Sequence, residues 1–265
     1  TLISTTLFKV QDVLSEGPIE GFWPVSGVSG LNPLCSVYFD NVPLLDGGGQ
    51  PNYNLSGQGF TFRFTSGTSG QSAISGFERV EALIPLPLNT RVFNPPPNAG
   101  LSKTVVGAFN TTQYPDAEGI KITVRLPALY TVDQTNGNTN AYNLSYAVDI
   151  STNNGNFVPV AGVDIPGKCT GPYYKQTIYT LPKEPTGQTF YSWKVRVSRT
   201  SQNVMAVSTQ NELFVDSMAV ISANQYRYPM TAMAAFVISA DQFANLPSRA
   251  YDIKGIKPFV PDGYT

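Results

Sequence analysis

The chain has 265 residues, 13% of them charged and none of them histidine, with a net charge of -1. This is about half the usual charged fraction of a globular domain, and the residues that replace the missing charges, Gly, Pro, aromatics and small polar groups, favour strands and turns. Without histidine the usual general base and commonest metal ligand are gone, and without a basic run nothing neutralises phosphates, so nucleic acid is not an expected partner.

In chain order, Thr5 to Leu14 reads as a strand carrying Leu7, Phe8, Val10 and Val13, broken at Gly17-Pro18. Cys35 to Leu45 alternates, with Val37 and Phe39 on one face and Asp40-Asn41 as a hairpin turn. The run Asp46 to Gly49 is a flexible turn and not a phosphate loop, since no Lys-Ser/Thr pair or helix start follows. Phe60, Phe62 and Phe64 repeat at period two opposite Thr61, Arg63 and Thr65, the pattern of a half-buried strand. Glu78 to Pro85 is limited to a sheet edge by Pro85 and Pro87. Asn94 to Gly100, rich in proline, reads as a linker.

Beyond it the rhythm changes. Ile120, Ile122, Val124 and Leu126 alternate with polar residues, then Tyr146, Val148 and Ile150, then Phe157, Val158 and Val160 after an Asn154-Gly155 hairpin signal, then Trp193, Val195 and Val197. Thr135 to Asn140 is a polar loop tip. Such strands within a little over a hundred residues imply a sandwich of the fibronectin or immunoglobulin kind, with Trp193 in its core. From Leu213 the pattern shifts again, through Val215, Met218, Val220 and Ile221. The apolar run Ala232 to Ile238 reads as a central strand or a short helix, and Asp241 to Asn245 as one helical turn capped by Asp241. Ile253, Ile256 and Phe259 follow.

The fold class is therefore all-β with minor helix: a discontinuous β domain, residues 1–92 and 211–265, interrupted by a β-sandwich at 93–210. Cys35 and Cys169 are far apart in sequence and read as separately buried small residues. Asp12, Glu16 and Glu20 are the carboxylates nearest to a glycosidase-like set, but no aromatic cluster beyond Phe22 and Trp23 adjoins them. No catalytic, cofactor or metal site is expected, and no run reaches the roughly 18 apolar residues of a membrane span. Thr1 to Gln11 lacks the features of a signal peptide.

Several motifs resemble one family. Ser15-Glu16-Gly17-Pro18-Ile19-Glu20-Gly21, after Val10 to Leu14, is similar to the opening motif of the phage lambda tail tip protein J family, whose members are central hub, host-specificity proteins. Ser36 to Leu45 resembles that family's next hairpin. Tyr228-Pro229-Met230, Asp241-Gln242-Phe243, and Arg249-Ala250-Tyr251 through Gly255 resemble its later motifs in order, continued by Pro261 to Tyr264, and Ser145 to Gly155 is similar to part of its inserted sandwich. Residues 47–76 match poorly.

The resemblance implies the N-terminal portion of a structural homotrimer at the distal end of the tail in the virion, assembled in the bacterial cytoplasm. Its neighbours would be the tail tube, other tail tip proteins and, as a further candidate, the tape measure protein. Given that symmetry, the outer domain is expected to carry the contacts between copies and the insertion to project, since an inserted sandwich has its own core. The competing class is an extracellular adhesion or carbohydrate-binding module, which exposed aromatics at Gly137 to Tyr142 and Pro172 to Tyr174 would favour.

Overall fold

A computed structural model describes residues 1–23, 32–55, 59–77, 79–87, 90–97, 103–182, 191–222, 226–243 and 245–256. It is all-β, and among the described residues the helical pieces are short 3-10 turns at Pro33–Ser36 and Ala240–Gln242. The chain divides into two compact units: Thr1–Ser4 with Arg79–Asn224, and Thr5–Glu78 with Gln225–Thr265. These divisions correct the limits drawn at 92 and 210. Leu213–Ser222, expected in the outer domain, pairs antiparallel with Ala117–Leu126, Glu81–Leu83 and Thr90–Val92. Its apolar face, Leu213, Val215, Met218 and Val220, therefore closes the sandwich core. The stretch beginning at Asn94 is likewise no boundary. It leads from Thr90–Val92 to Val105–Asn110 inside that unit, and Asn94 and Asn203 exchange bonds there, backbone to side chain at 2.8 Å and backbone to backbone at 2.7 Å.

The sandwich unit has one sheet ordered Val158–Gly167, Tyr142–Thr152, Ser192–Arg199, Val105–Asn110, and a second ordered Tyr173–Thr180, Ala117–Leu126, Leu213–Ser222, Glu81–Leu83. Alternation produces the core directly. Ile120, Ile122, Val124 and Leu126 from one sheet and Leu144, Tyr146, Val148 and Ile150 from the other are all buried, each full aliphatic burial contributing roughly 1.5–3 kcal/mol. Trp193 is in the core as expected, stacked on Phe109 at 5.3 Å. The hairpin turn is shifted by one residue from its sequence signal. Asn153 and Asn154 take the left-handed conformation, with φ of 49° and 59°, and Gly155 N–H closes on Thr152 C=O at 2.8 Å. Asparagine tolerates that conformation, so the pair Asn153-Asn154 outcompetes Asn154-Gly155.

In the outer unit the central strand is Thr231–Ser239, flanked antiparallel by Leu7–Glu16 and Phe60–Ser66. The Ala232 to Ile238 run is thus strand and not helix. With a strand on each side and packing on both faces, it can be apolar throughout. Ala234, Phe236 and Ile238 face a core shared with Phe22, Val37, Phe39 and Leu44, while Met233 and Ala235 meet Ile74 on the other side. Two small pairings complete the unit: Arg249–Tyr251 with Val37–Phe39, and Ile253–Ile256 with Ile19–Phe22. The strand that holds Val10 and the strand that holds Ile253 lie in this same unit.

Candidate functional site

Apart from Ser145 to Gly155, which lies in the sandwich, the described motif residues picked out by sequence fall in the outer unit, where three braces hold most of them. The first joins the chain's two distant segments. Arg249 donates from Nε to Asp12 Oδ2 at 2.6 Å and from Nη2 to Oδ1 at 3.0 Å, and Tyr251 O–H donates to the same carboxylate. Burial pushes the Asp12 carboxyl up, but the hydrogen bonds from Arg249 and Tyr251 outweigh it and hold the group below its usual range. Burial together with that carboxylate pushes the Tyr251 phenol up. Asp12 is therefore the missing partner of the Arg249-x-Tyr251 motif. Sequence offered it only as a catalytic carboxylate. Its strand position, facing inward beside Val10, was the signal that could have identified it.

The second brace holds the Ser15 to Gly21 turn. Gly17 has φ of 89° and its N–H reaches Met230 C=O at 2.6 Å. A Cβ on Gly67 would stand 2.5 Å from Gly17 C=O, so glycine at Gly67 lets the two turns touch. Ile19 is buried, Glu16 and Glu20 are exposed, and Gly21 pairs with Lys254 one residue before Gly255.

The third brace is the Tyr228-Pro229-Met230 turn, and here the poorly matching region supplies the key group. The Gln71 amide nitrogen donates to the carbonyls of Arg227 (3.2 Å), Tyr228 (2.7 Å) and Thr231 (2.9 Å), and its oxygen accepts from Gly67 N–H at 2.8 Å. Tyr228 and Met230 carry φ of 45° and 58°, each costing about 1–3 kcal/mol for a non-glycine residue. The two N–H groups of the Gln71 amide, shared among those three carbonyls, hold that conformation, and the bond from Gly67 fixes Gln71 itself. Tyr226 and Tyr228 stack at 6.0 Å on the outside of it, both exposed, as is Met230.

The Asp241-Gln242-Phe243 segment divides its work. Gln242 exchanges two bonds with the Asn54 backbone, at 3.0 and 2.8 Å, and Phe243 packs on Phe39 and Tyr53. Asp241 does not cap the turn. Ser239 does, accepting from Asp241 N–H at 3.3 Å, because the cap of the 3-10 turn lies two residues earlier than expected. The Asp46 to Gly49 run is also tighter than its glycines suggested: the Asp46 carboxylate accepts from Gly48 and Gln50 N–H groups, both at 2.8 Å.

Phe259 and Pro261 to Tyr264 lie outside the described residues. Cys35 and Cys169 are free, buried thiols. Among the described residues no group of three potential ligands is placed to hold a metal ion, and no helix is long and apolar enough to cross a membrane. For the adhesion reading, Tyr142 and Tyr173 pack against the sandwich core and leave Tyr174 as the open ring of that group.

Residues 99–223 match the family described as tip attachment protein J, FNIII-A domain. The whole chain aligns with Tip attachment protein J of Escherichia phage SECphi4, 26% identical over 264 residues and covering 100% of this chain. The chain is thus similar to tip attachment protein J along its length. It spans 21% of the length of that relative. The FNIII-A match starts at 99, later than the sandwich unit at Arg79, so the edge strand Glu81–Leu83 and its neighbour Thr90–Val92 lie outside the matched residues. Among solved structures, the receptor binding domain of the spike protein P1 from bacteriophage PM2 aligns over 52% of this chain and 94% of its own, at 9% identity and a TM-score of 0.26. A chain of the entire lipid-containing bacteriophage PM2 aligns over 90% and 74%, at 8% identity and a TM-score of 0.31. Such scores are too low to equate folds.

Proposed function

We propose that this chain is an N-terminal segment of a tail tip protein in a long-tailed phage, with a structural role at the distal end of the tail. The whole-length relation to tip attachment protein J is the observation that carries this reading. In the finer form, the outer unit contributes to a homotrimeric hub that joins the tail tube and other tail tip proteins, with the tape measure protein as a further neighbour. The hub helps to close the channel before DNA is released, and the sandwich projects from it.

The work is done by interfaces, without bond-making. Two features support this. Of the three carboxylates considered for a hydrolase, Asp12 is taken up by Arg249 and Tyr251, so it is not free to pair with Glu16 or Glu20. The outer unit also spends its polar side chains on fixing backbone, at Gln71 and Gln242, which suits a part that must keep its shape.

A cryo-EM map of intact tail tips tests the proposal. Three copies should surround the tail axis at its distal end, with outer units in mutual contact and sandwiches outward. Density for this chain on the capsid, or contacts between copies made by sandwiches alone, would overturn it.

A further inference from the structure

Two of the family-like motifs stand at opposite ends of one strand. Thr231 opens the central strand immediately after the Tyr226 to Met230 turn, and Ser239 closes it immediately before Asp241. Eight steps of extended chain separate them by about 26 Å.

The first end protrudes. Tyr226, Tyr228 and Met230 are exposed around Pro229, and Arg227, which separates the two tyrosines in sequence, is exposed as well. The second end is hollow, a cleft of about 450 Å³ lined by Thr5, Leu7, Asn54, Ser239, Asp241 and Gln242. Pockets of that size accept a ligand-sized group.

Their chemistry is complementary. The protrusion offers a guanidinium, two phenol O–H groups and the apolar Pro229 and Met230. The cleft offers the Asp241 carboxylate, hydroxyl and amide oxygens, and the half-exposed Leu7. Among the described residues neither Arg227 nor Asp241 has an ion-pair partner. The backbone conformation of the protrusion is held by Gln71, at two strained non-glycine residues, so its shape is fixed before any partner arrives. Strain of this sort collects at binding sites.

We propose that the Tyr226 to Met230 turn of one copy seats in the Asp241 cleft of a second copy, with Arg227 meeting Asp241. This rests on the reading above that outer units contact one another, and it names the surfaces. The contact joins two different patches, as a ring of identical subunits requires.

The test is a charge exchange in the full protein, read as self-association by sedimentation velocity. Arg227→Asp and Asp241→Arg should each weaken association by roughly tenfold or more, and the double variant should recover most of it. Arg227→Gln and Asp241→Asn should weaken it in the same direction, with circular dichroism unchanged because both positions are exposed. Single variants that associate like the parent, or a double variant no better than either, would sink this contact while leaving the outer-unit reading in place. A parent protein that stays monomeric at every concentration would sink both.

Discussion

The sandwich and the outer unit reach stability by different routes. Among the described residues, the sandwich gathers twenty-four buried residues into one core, while the outer unit has clusters of seven and three. The sandwich is built from long alternating strands, so apolar interdigitation dominates. Among the described residues the outer unit has three strands of six residues or more, Leu7–Glu16, Phe60–Ser66 and Thr231–Ser239, against seven in the sandwich. It compensates with side chains that bond far away in sequence: Gln71 to the Tyr228 backbone, Gln242 to the Asn54 backbone, and Asp12 to the Arg249 side chain. A small core held by many polar clasps is rigid where it is braced and vulnerable where its few large side chains are removed.

The largest effect should therefore come from Phe236→Ala. Phe236 is fully buried and touches the rings of Phe39 at 5.3 Å and Phe62 at 5.0 Å, so it stands at the middle of the smaller core. Truncation there costs about 3–5 kcal/mol. The expected outcome is loss of hydrogen-exchange protection at Thr231–Ser239 with protection kept at Tyr142–Thr152. Loss of both together would show that the two units do not have separate cores.

A smaller but local effect tests the reverse, that the sandwich also depends on one polar clasp. Arg199 is 5% exposed and donates to the carbonyls of Ser201, Gln202 and Asn211, fixing the loop that carries the exposed Val204 to Val207. Burial pulls its pKa down to about 10, so it stays charged at neutral pH. Arg199→Met leaves those carbonyls unpaired and should cost roughly 3 kcal/mol. A thermal melt would check the magnitude. A cost below about 1 kcal/mol, the net value of an ordinary hydrogen bond, would mean that water replaces the guanidinium and that the sandwich relies on its core alone.

The same contrast explains what could be read in advance. The sandwich strands are visible as period-two alternation at Ile120 to Leu126, Tyr146 to Ile150 and Trp193 to Val197, because each is long and has one face inward. Its limits were not visible. Leu213–Ser222 and Glu81–Leu83 carry no mark that tells a sandwich strand from an outer one, and only the pairing of the first with Ala117–Leu126, and of the second with the first, decides it. In the outer unit the motifs could be located but not their partners. Gln71 lies in a stretch with no motif, and the Asp12 to Arg249 bond spans 237 positions. Periodicity carries no information about such pairings.

Asp12→Asn should have a moderate effect with a definite pH signature. The Asp12 carboxyl has a depressed pKa in the folded unit, so its stabilisation is present above the ordinary value of 3.8 and is lost as the pH falls through the folded value. Hydrogen bonds to a charged group contribute about 1.5–3 kcal/mol, and the asparagine variant should lose about that much at pH 7. The difference between parent and variant should be flat from pH 5 to 8 and shrink below about pH 4. Chemical denaturation across that range measures it. A gap that instead widens in acid would mean that Asp12 is not held as the carboxylate.

The smallest effect is expected at Glu20, and its smallness is informative. Glu20 lies in the Ser15 to Gly21 motif, yet it is exposed, and Lys254 approaches it only to 3.9 Å. An exposed pair at that distance contributes a few tenths of a kcal/mol at most. The motif is held without any charge by the buried Ile19 and by the Gly17 N–H bond to Met230 C=O. Glu20→Gln should thus leave the melting temperature within about a degree of the parent, since surface changes away from such contacts stay within roughly 0.5 kcal/mol. If the stability is unchanged and tail assembly in infected cells is also unchanged, the motif acts through its turn alone. Unchanged stability with failed assembly would instead place the Glu20 carboxylate in a contact with a neighbouring subunit, and complementation with the Gln variant separates the two outcomes.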